Sequence, residues 1–221
     1  FGGRYFVSYD KGGASDIEEG WLPNYYVPTP YFIDWSEKAV KRLKTYKKTG
    51  AKKIASRFQN KEFYFKEGIS FSDSGIYAPT FRIFAGHLFD QKGSLIMPLD
   101  TDRTQKILLF LSSKLGKYIL KSYVNHSISS HVDSIKMIKL FLSCKFNKKL
   151  ITSISSIFQK QKKTPRYDYL TNEQIEIDKL VYEMYNLNKE DIEEVENWYF
   201  RRYPKLAKVI AEKIKKKNKG E

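Results

Sequence analysis

Cysteine occurs once in this 221-residue chain, as Cys144, and histidine only three times. A single thiol excludes an internal disulfide framework and suits a reducing cytoplasm. It sits in the apolar run MIKLFLSC, where a buried structural thiol is expected and not a nucleophile. His87, His126 and His131 are scattered, and the last two share one polar loop without a third ligand, so no metal site is expected. No run reaches the ~18 apolar residues of a membrane span, and no signal peptide is visible. The phosphate-binding glycine loops, H-E-x-x-H, the serine-nucleophile elbow G-x-S-x-G and a P-D…(D/E)-x-K nuclease cluster are all missing. Carboxylates gather only at Glu190, Asp191, Glu193, Glu194 and Glu196, a pattern that reads as a solvated helix face. No catalytic centre and no cofactor are therefore expected in this stretch of protein.

What is present is charge and aromatic surface. Hydrophobic residues make up 41% and aromatics 15%, which excludes a disordered basic tail. Against 25 acidic residues stand 40 lysines and arginines, leaving +15. Such a field favours a polyanionic partner, although a lysine-rich proteome produces the same balance. The chain begins with Phe1 and not Met, and reads as a piece of a longer polypeptide.

The pattern along the chain is α+β: a mixed α/β unit with a central β-rich region and flanking helices, then a helical element. The boundary is expected near Thr164-Pro165, giving units 1–165 and 166–221. FGGRYFVSYDKGG predicts a strand and turn. Ser36 is an N-cap for a helix over SEKAVKRLKTYKK, ended by Gly50, with a lysine stripe on its exposed face. Strands are predicted for EFYF, GISFS, IYAPTFRIF, HLFD and SLIMP. ILLFLSSKLGKYILKSYV reads as one core-facing helix, with Leu108, Leu111, Leu115, Ile119 and Val124 inward. Residues 166–221 predict three helices, with Thr171 as an N-cap. Ile175, Leu180, Val181, Met184 and Leu187 would form the first one's apolar face. The acidic middle helix and basic last helix are expected to pair.

DNA recognition requires cations for phosphates and held polar groups for base edges. Arg57, Gln59 and Asn60 in SRFQNK supply the base-reading types just before an aromatic strand, and Arg82 is a further candidate. The same residues would also serve as ordinary turn residues capping that strand.

Several runs carry a resemblance. Ser56-Arg57-Phe58-Gln59-Asn60, then Phe63-Tyr64-Phe65-Lys66-Glu67-Gly68-Ile69-Ser70-Phe71-Ser72, then Leu88-Phe89-Asp90 and Gly93-Ser94 occur in order. They resemble S-R-P-Q-N-x-x-Y-Y-F-x-E-G-I-T-W-S and F-I-F-D-x-x-G-S. Those motifs belong to adenine-specific DNA methyltransferases of type IIG restriction–modification and phage-exclusion (BREX) systems. LLFLSSKLGKYIL is similar to that family's L-x-x-L-N-S-K helix, and IDKLVYEMYNLNKEDIEEVE to its closing E-I-D-x-L-V-Y element. Phe58 replaces the family's proline and Phe71 its tryptophan. Tyr77 to Arg82 matches the F-S-A-R-Y segment only loosely.

The resemblance implies the C-terminal target recognition region of a bacterial, cytoplasmic enzyme. The cofactor-binding glycine motif and the Asn-Pro-Pro-Tyr/Phe loop would lie in an upstream methyltransferase domain. S-adenosylmethionine would be bound there, and the target adenine flipped into it. Double-stranded DNA and that upstream domain are the expected partners. Whether the parent also cleaves DNA stays open. Lys11, Lys41, Lys44, Lys48, Lys52 and Lys66 are the phosphate candidates. Arg57, Gln59, Asn60, Arg82, Ser70, Ser72 and Asp73 are the base-edge candidates. Phe63 and Phe65 are expected as buried supports, Glu67, Gly68 and Asp90 as scaffold, with phosphate able to approach closely at Gly68. The rival reading is a protein-interaction module that docks a partner through the C-terminal helices.

Overall fold

A computed structural model of the chain describes residues 5–10, 15–47, 60–73, 77–89, 93–98, 100–140 and 148–219. Two small three-stranded sheets form the β-rich region. β1 (Phe6–Asp10) lies centrally in the first, antiparallel to β2 (Phe32–Asp34) and parallel to β5 (Leu88–Phe89). In the second, β3 (Glu67–Ser72) is flanked antiparallel by β4 (Phe81–Ala85) and β6 (Gly93–Ile96). Four consecutive residues of β3, Gly68 to Phe71, are buried, so both faces of this sheet are covered.

Helix α1 (Glu37–Thr45) starts where serine capping predicts: the Ser36 hydroxyl accepts from Ala39 N–H at 3.4 Å. It ends at Tyr46, before Gly50. The predicted strand EFYF is instead a 3-10 turn, Lys61–Phe63, entered by Asn60 and left through Phe65. Both residues are left-handed, at φ 55° and 63°, and neither conformation fits an extended ladder. IYAPTFRIF contributes strand only from Phe81 onward. Pro79 has no N–H to give a ladder, and the Ala78 N–H donates to the Tyr203 hydroxyl at 3.0 Å.

The predicted long helix is two, α2 (Thr101–Ser112) and α3 (Lys114–Ile119), followed by a π turn, Leu120–Val124. Ser113, at ψ 161°, breaks them and caps α3, accepting from Gly116 N–H at 3.1 Å. Leu108, Leu111 and Leu115 are buried as the stripe predicts, together with Leu109 and Phe110. Short α4 (Val132–Lys136) precedes α5 (Lys148–Lys163), α6 (Glu173–Met184), α7 (Lys189–Arg202) and α8 (Pro204–Lys219). Among the described residues no helix is long and apolar enough to cross a membrane. Cys144 lies outside the described residues.

Helix α6 is rotated from its predicted face. Ile175 is 50% exposed, while Gln174, Ile177, Asp178, Val181 and Tyr182 turn inward. Two of those five are polar and bonded inside, which an apolar-periodicity argument cannot anticipate. Thr171 is not the cap: that position is Asn172, and the Thr171 hydroxyl donates to Asp168 instead. The acidic and basic helices α7 and α8 are in contact, and their charged residues also pair elsewhere. On α8, Lys205 pairs with Glu18 and Lys213 with Asp168, whereas Glu196 of α7 pairs with Lys114.

The core is continuous. Leu22, Tyr25, Phe71 and Phe81 from the β-rich region share one buried cluster with Tyr169, Ile177, Val181, Tyr199, Tyr203 and Leu206 from the last helices. The α+β class read from the sequence is the observed one, with the two stretches packed as layers around a common interior.

Candidate functional site

The lysine stripe of α1 is at the surface. Lys38, Lys41, Lys44 and Lys47 are exposed, while Ala39, Val40 and Leu43 are half-buried against the body. Lys41 and Lys44 are three residues apart and so lie on one helix face. Asn60 is exposed at the head of the 3-10 turn, and Lys66 is exposed after it. Left-handed backbone is a conformation that asparagine tolerates better than most residues. Arg57, Gln59, Lys11, Lys48 and Lys52 lie outside the described residues.

The remaining candidates divide. Ser72 and Asp73 are half-buried at the end of β3. Ser70 and Arg82 face each other directly across β3 and β4 and are interior, at 1% and 3% exposure. The Arg82 guanidinium donates to Thr80 Oγ1 at 3.1 Å, and burial lowers its pKa, opposed by the nearby Asp10. A charge held this deep supports the sheet from within and offers no edge to a base. Gly68 is likewise interior. A Cβ there would meet Ile96 O at 2.6 Å and Met97 Sδ at 2.7 Å, so β6 occupies the space that a phosphate was expected to use.

The aromatic supports are also redistributed. Phe65 is 45% exposed and Phe63 only half-buried. Phe65 faces Trp35 edge-on at 6.0 Å and 74°, and Trp35 meets Tyr64 at 5.9 Å. With Tyr5, Val7, Ser8, Gly86 and His87, Trp35 and Phe65 line an open cleft of about 440 Å³. The sequence signal for this cleft was the density of aromatics between residues 5 and 65. Their convergence depended on the β1–β2 and β1–β5 pairings, which no local pattern shows.

A second concentration of chemistry lies between α3, α6 and α7, buried at its centre. Asp178 accepts from the Lys114 backbone N–H at 2.9 Å and from Gln174 Nε2 at 3.1 Å. Gln174 in turn accepts from the Tyr25 hydroxyl at 2.8 Å. Lys114 Nζ bonds Glu196 at 2.7 Å, and Tyr182 donates to the same carboxylate at 2.8 Å. The runs Ser112–Lys114 and Glu176–Asp178 therefore meet as one joint, with Asp178 helping Ser113 to cap α3. Burial pushes the Asp178 carboxyl up to about 6 against the pull of Lys114. Burial also lowers the Lys117 ammonium to about 8, although Asp178 opposes the shift.

The Lys117 shift predicts a pH dependence. The unfolded lysine titrates near 10.5 and the folded one near 8. Between those values the unfolded chain holds more protons, so stability rises with pH and is lost as pH falls toward 8. The full effect is of order 3 kcal/mol. Urea unfolding of wild type is expected to show this rise from pH 8 to 9.5, and Lys117→Met to flatten it. Equal slopes in the two proteins would refute the assignment.

The joint is a structural seam, buried at Asp178 and Gln174 and part-exposed at Lys114 and Glu196, whereas α1 and the aromatic cleft are open. Compared with known proteins, the chain matches no protein-family model and has no significant match among curated proteins.

Proposed function

We propose that this chain is a duplex-DNA recognition module, the C-terminal specificity region of a DNA N6-adenine methyltransferase of restriction–modification or phage defence. The observation that carries the reading is the exposed lysine face of α1 on a body of net charge +15. Lysines on one rigid helix track a phosphate backbone without reading sequence. The exposed Asn60, with half-buried Ser72 and Asp73, offers groups of the type that read base edges. The ordered resemblance of the Ser56–Ser72 and Leu88–Ser94 runs supplies the enzyme class. S-adenosylmethionine and the transfer step belong to the upstream domain, and this chain's part is to hold the duplex in register.

Anisotropy titration of a labelled duplex at low salt tests the reading. Binding is expected to weaken linearly in log–log salt plots. The double substitution Lys41→Ala and Lys44→Ala is expected to reduce the slope by about 2 and the affinity about ten-fold. Flat titrations, or binding indifferent to both salt and the double substitution, would overturn it. The interaction-module reading would use α6 and α7, which put most of their apolar residues into the chain's own core but leave Ile175 and Phe200 exposed.

A further inference from the structure

The cleft beside α1 is built from rings that the fold does not need to leave open. Tyr5 is 66% exposed and Phe65 45% exposed, and both border the 440 Å³ space. A volume of that size falls within the usual range for small-ligand sites. Phe65 also sits at φ 63°. Left-handed backbone is unfavourable for a bulky residue, and such outliers persist only where the surroundings impose them. The Phe65 N–H donates to His87 O at 3.2 Å. Burial would offset that strain in an ordinary core residue. Phe65 is strained and yet presents its ring to the opening.

The polar groups of the cleft suit a flat, neutral, hydrogen-bonding ligand. Ser8 and His87 are in its wall. Burial lowers the His87 imidazole below its usual value, opposed by Asp10, so the neutral ring offers one donor and one acceptor. The sequence neighbours of the lining residues are mixed in charge: Lys38 and Lys66 against Glu37 and Glu67, all exposed. That mixture argues against a phosphate pocket and for a site that takes the ring itself. Trp35 links the cleft to the lysines, since it precedes the Ser36 cap of α1.

We propose that this cleft binds a nucleobase swung out of the DNA that α1 holds, stacking it on Phe65 with Trp35 at its edge. The inference rests on the DNA-binding reading above and adds to it a second mode of contact. Aromatic stacking is indifferent to base identity, so the cleft would sense distortion or unpairing of the duplex and not its sequence.

The test compares two labelled duplexes, identical except that one carries a single unpaired adenine, against the full chain. Wild type is expected to bind the unpaired duplex about ten-fold more tightly. Phe65→Gly removes the ring and suits the left-handed backbone, so it is expected to fold and to lose that preference. Its affinity for the fully paired duplex should be unchanged. Tyr5→Ala, at an exposed wall, is expected to reduce the preference as well. Lys41→Ala with Lys44→Ala should weaken both duplexes equally. If wild type binds both duplexes alike, or Phe65→Gly keeps the preference, the cleft assignment fails while the DNA reading stands. If neither duplex is bound at all, both fail together.

Discussion

Replacing Gly116 by alanine is expected to be among the most destabilising single-methyl changes available to this protein. A Cβ on Gly116 would lie 2.1 Å from Phe110 O and 2.9 Å from Phe110 C. Both atoms are backbone, at the end of a buried helix, so no side chain can rotate aside. The corner exists because Ser113 is extended at ψ 161° and its hydroxyl donates to Phe110 O at 2.7 Å while accepting from Gly116 N–H. The α3 backbone is thereby folded back onto the last turn of α2. Making room for a methyl group would open this corner and pull Lys114 N–H from Asp178. Overpacking usually costs 1–3 kcal/mol, and a rigid backbone neighbour places this case at about 3 kcal/mol. For a chain of this size that corresponds to a fall in Tm of roughly 6–12 °C. Thermal unfolding followed by circular dichroism checks it. A change below 2 °C would show that the α2–α3 corner is looser than its geometry.

That same corner shows what sequence periodicity can and cannot express. The leucine stripe through Leu108, Leu111 and Leu115 was legible because burial repeats with the helical turn, and those residues are buried. The break at Ser113 was not, since a serine inside an apolar helix pattern is locally compatible with continuing it. The Ser113 hydroxyl bonds permit the break, and Asp178, distant in sequence, adds a contact that no local pattern shows. The α1 lysines were legible for a related reason: a capped amphipathic helix declares its outer face. Arg82 and Ser70 carried the opposite lesson. Their residue types suit base contact, but type says nothing of depth, and the antiparallel register puts both inside the sheet. Phe65 was misread as a buried support because aromatic content implies burial on average. Its left-handed backbone, whose N–H bonds His87 O, goes with a ring that borders the cleft and stays exposed. Phe65 is thus a local conflict within an otherwise consistent sequence, the kind of position where function is expected.

Cutting the chain after residue 165 is expected to abolish cooperative folding of the remainder, although the composition shift there looks like a domain boundary. The severed piece would remove Tyr169, Tyr199 and Tyr203 from the common core. With them go hydrogen bonds that secure the β-rich region from outside it. The Asn24 N–H donates to the Tyr169 hydroxyl at 3.0 Å, and that hydroxyl donates to Leu22 O. The Ala78 N–H would lose Tyr203, and the buried Tyr25 hydroxyl would lose Gln174. These groups would turn to water, and the apolar surface that the last helices cover would be exposed at about 25 cal/mol per Å². Loss of that shared core removes more than the stability expected of a domain. The fragment 1–165 should therefore give no cooperative urea transition, weak near-ultraviolet dichroism and strong binding of a hydrophobic dye. Tyr169→Ala in the full chain isolates one part of the effect at about 4 kcal/mol, while Tyr169→Phe keeps the ring and loses only the hydroxyl bonds. A fragment that unfolds cooperatively with native-like dichroism would mean that the β-rich region stands alone. The C-terminal helices would then be free to serve a partner, as the interaction-module reading requires. Loss of folding in the fragment would instead tie those helices to the surface that holds α1 and the aromatic cleft. Loss of DNA binding on truncation would then report an unfolded module, and only point substitutions on α1 could locate the DNA-binding face.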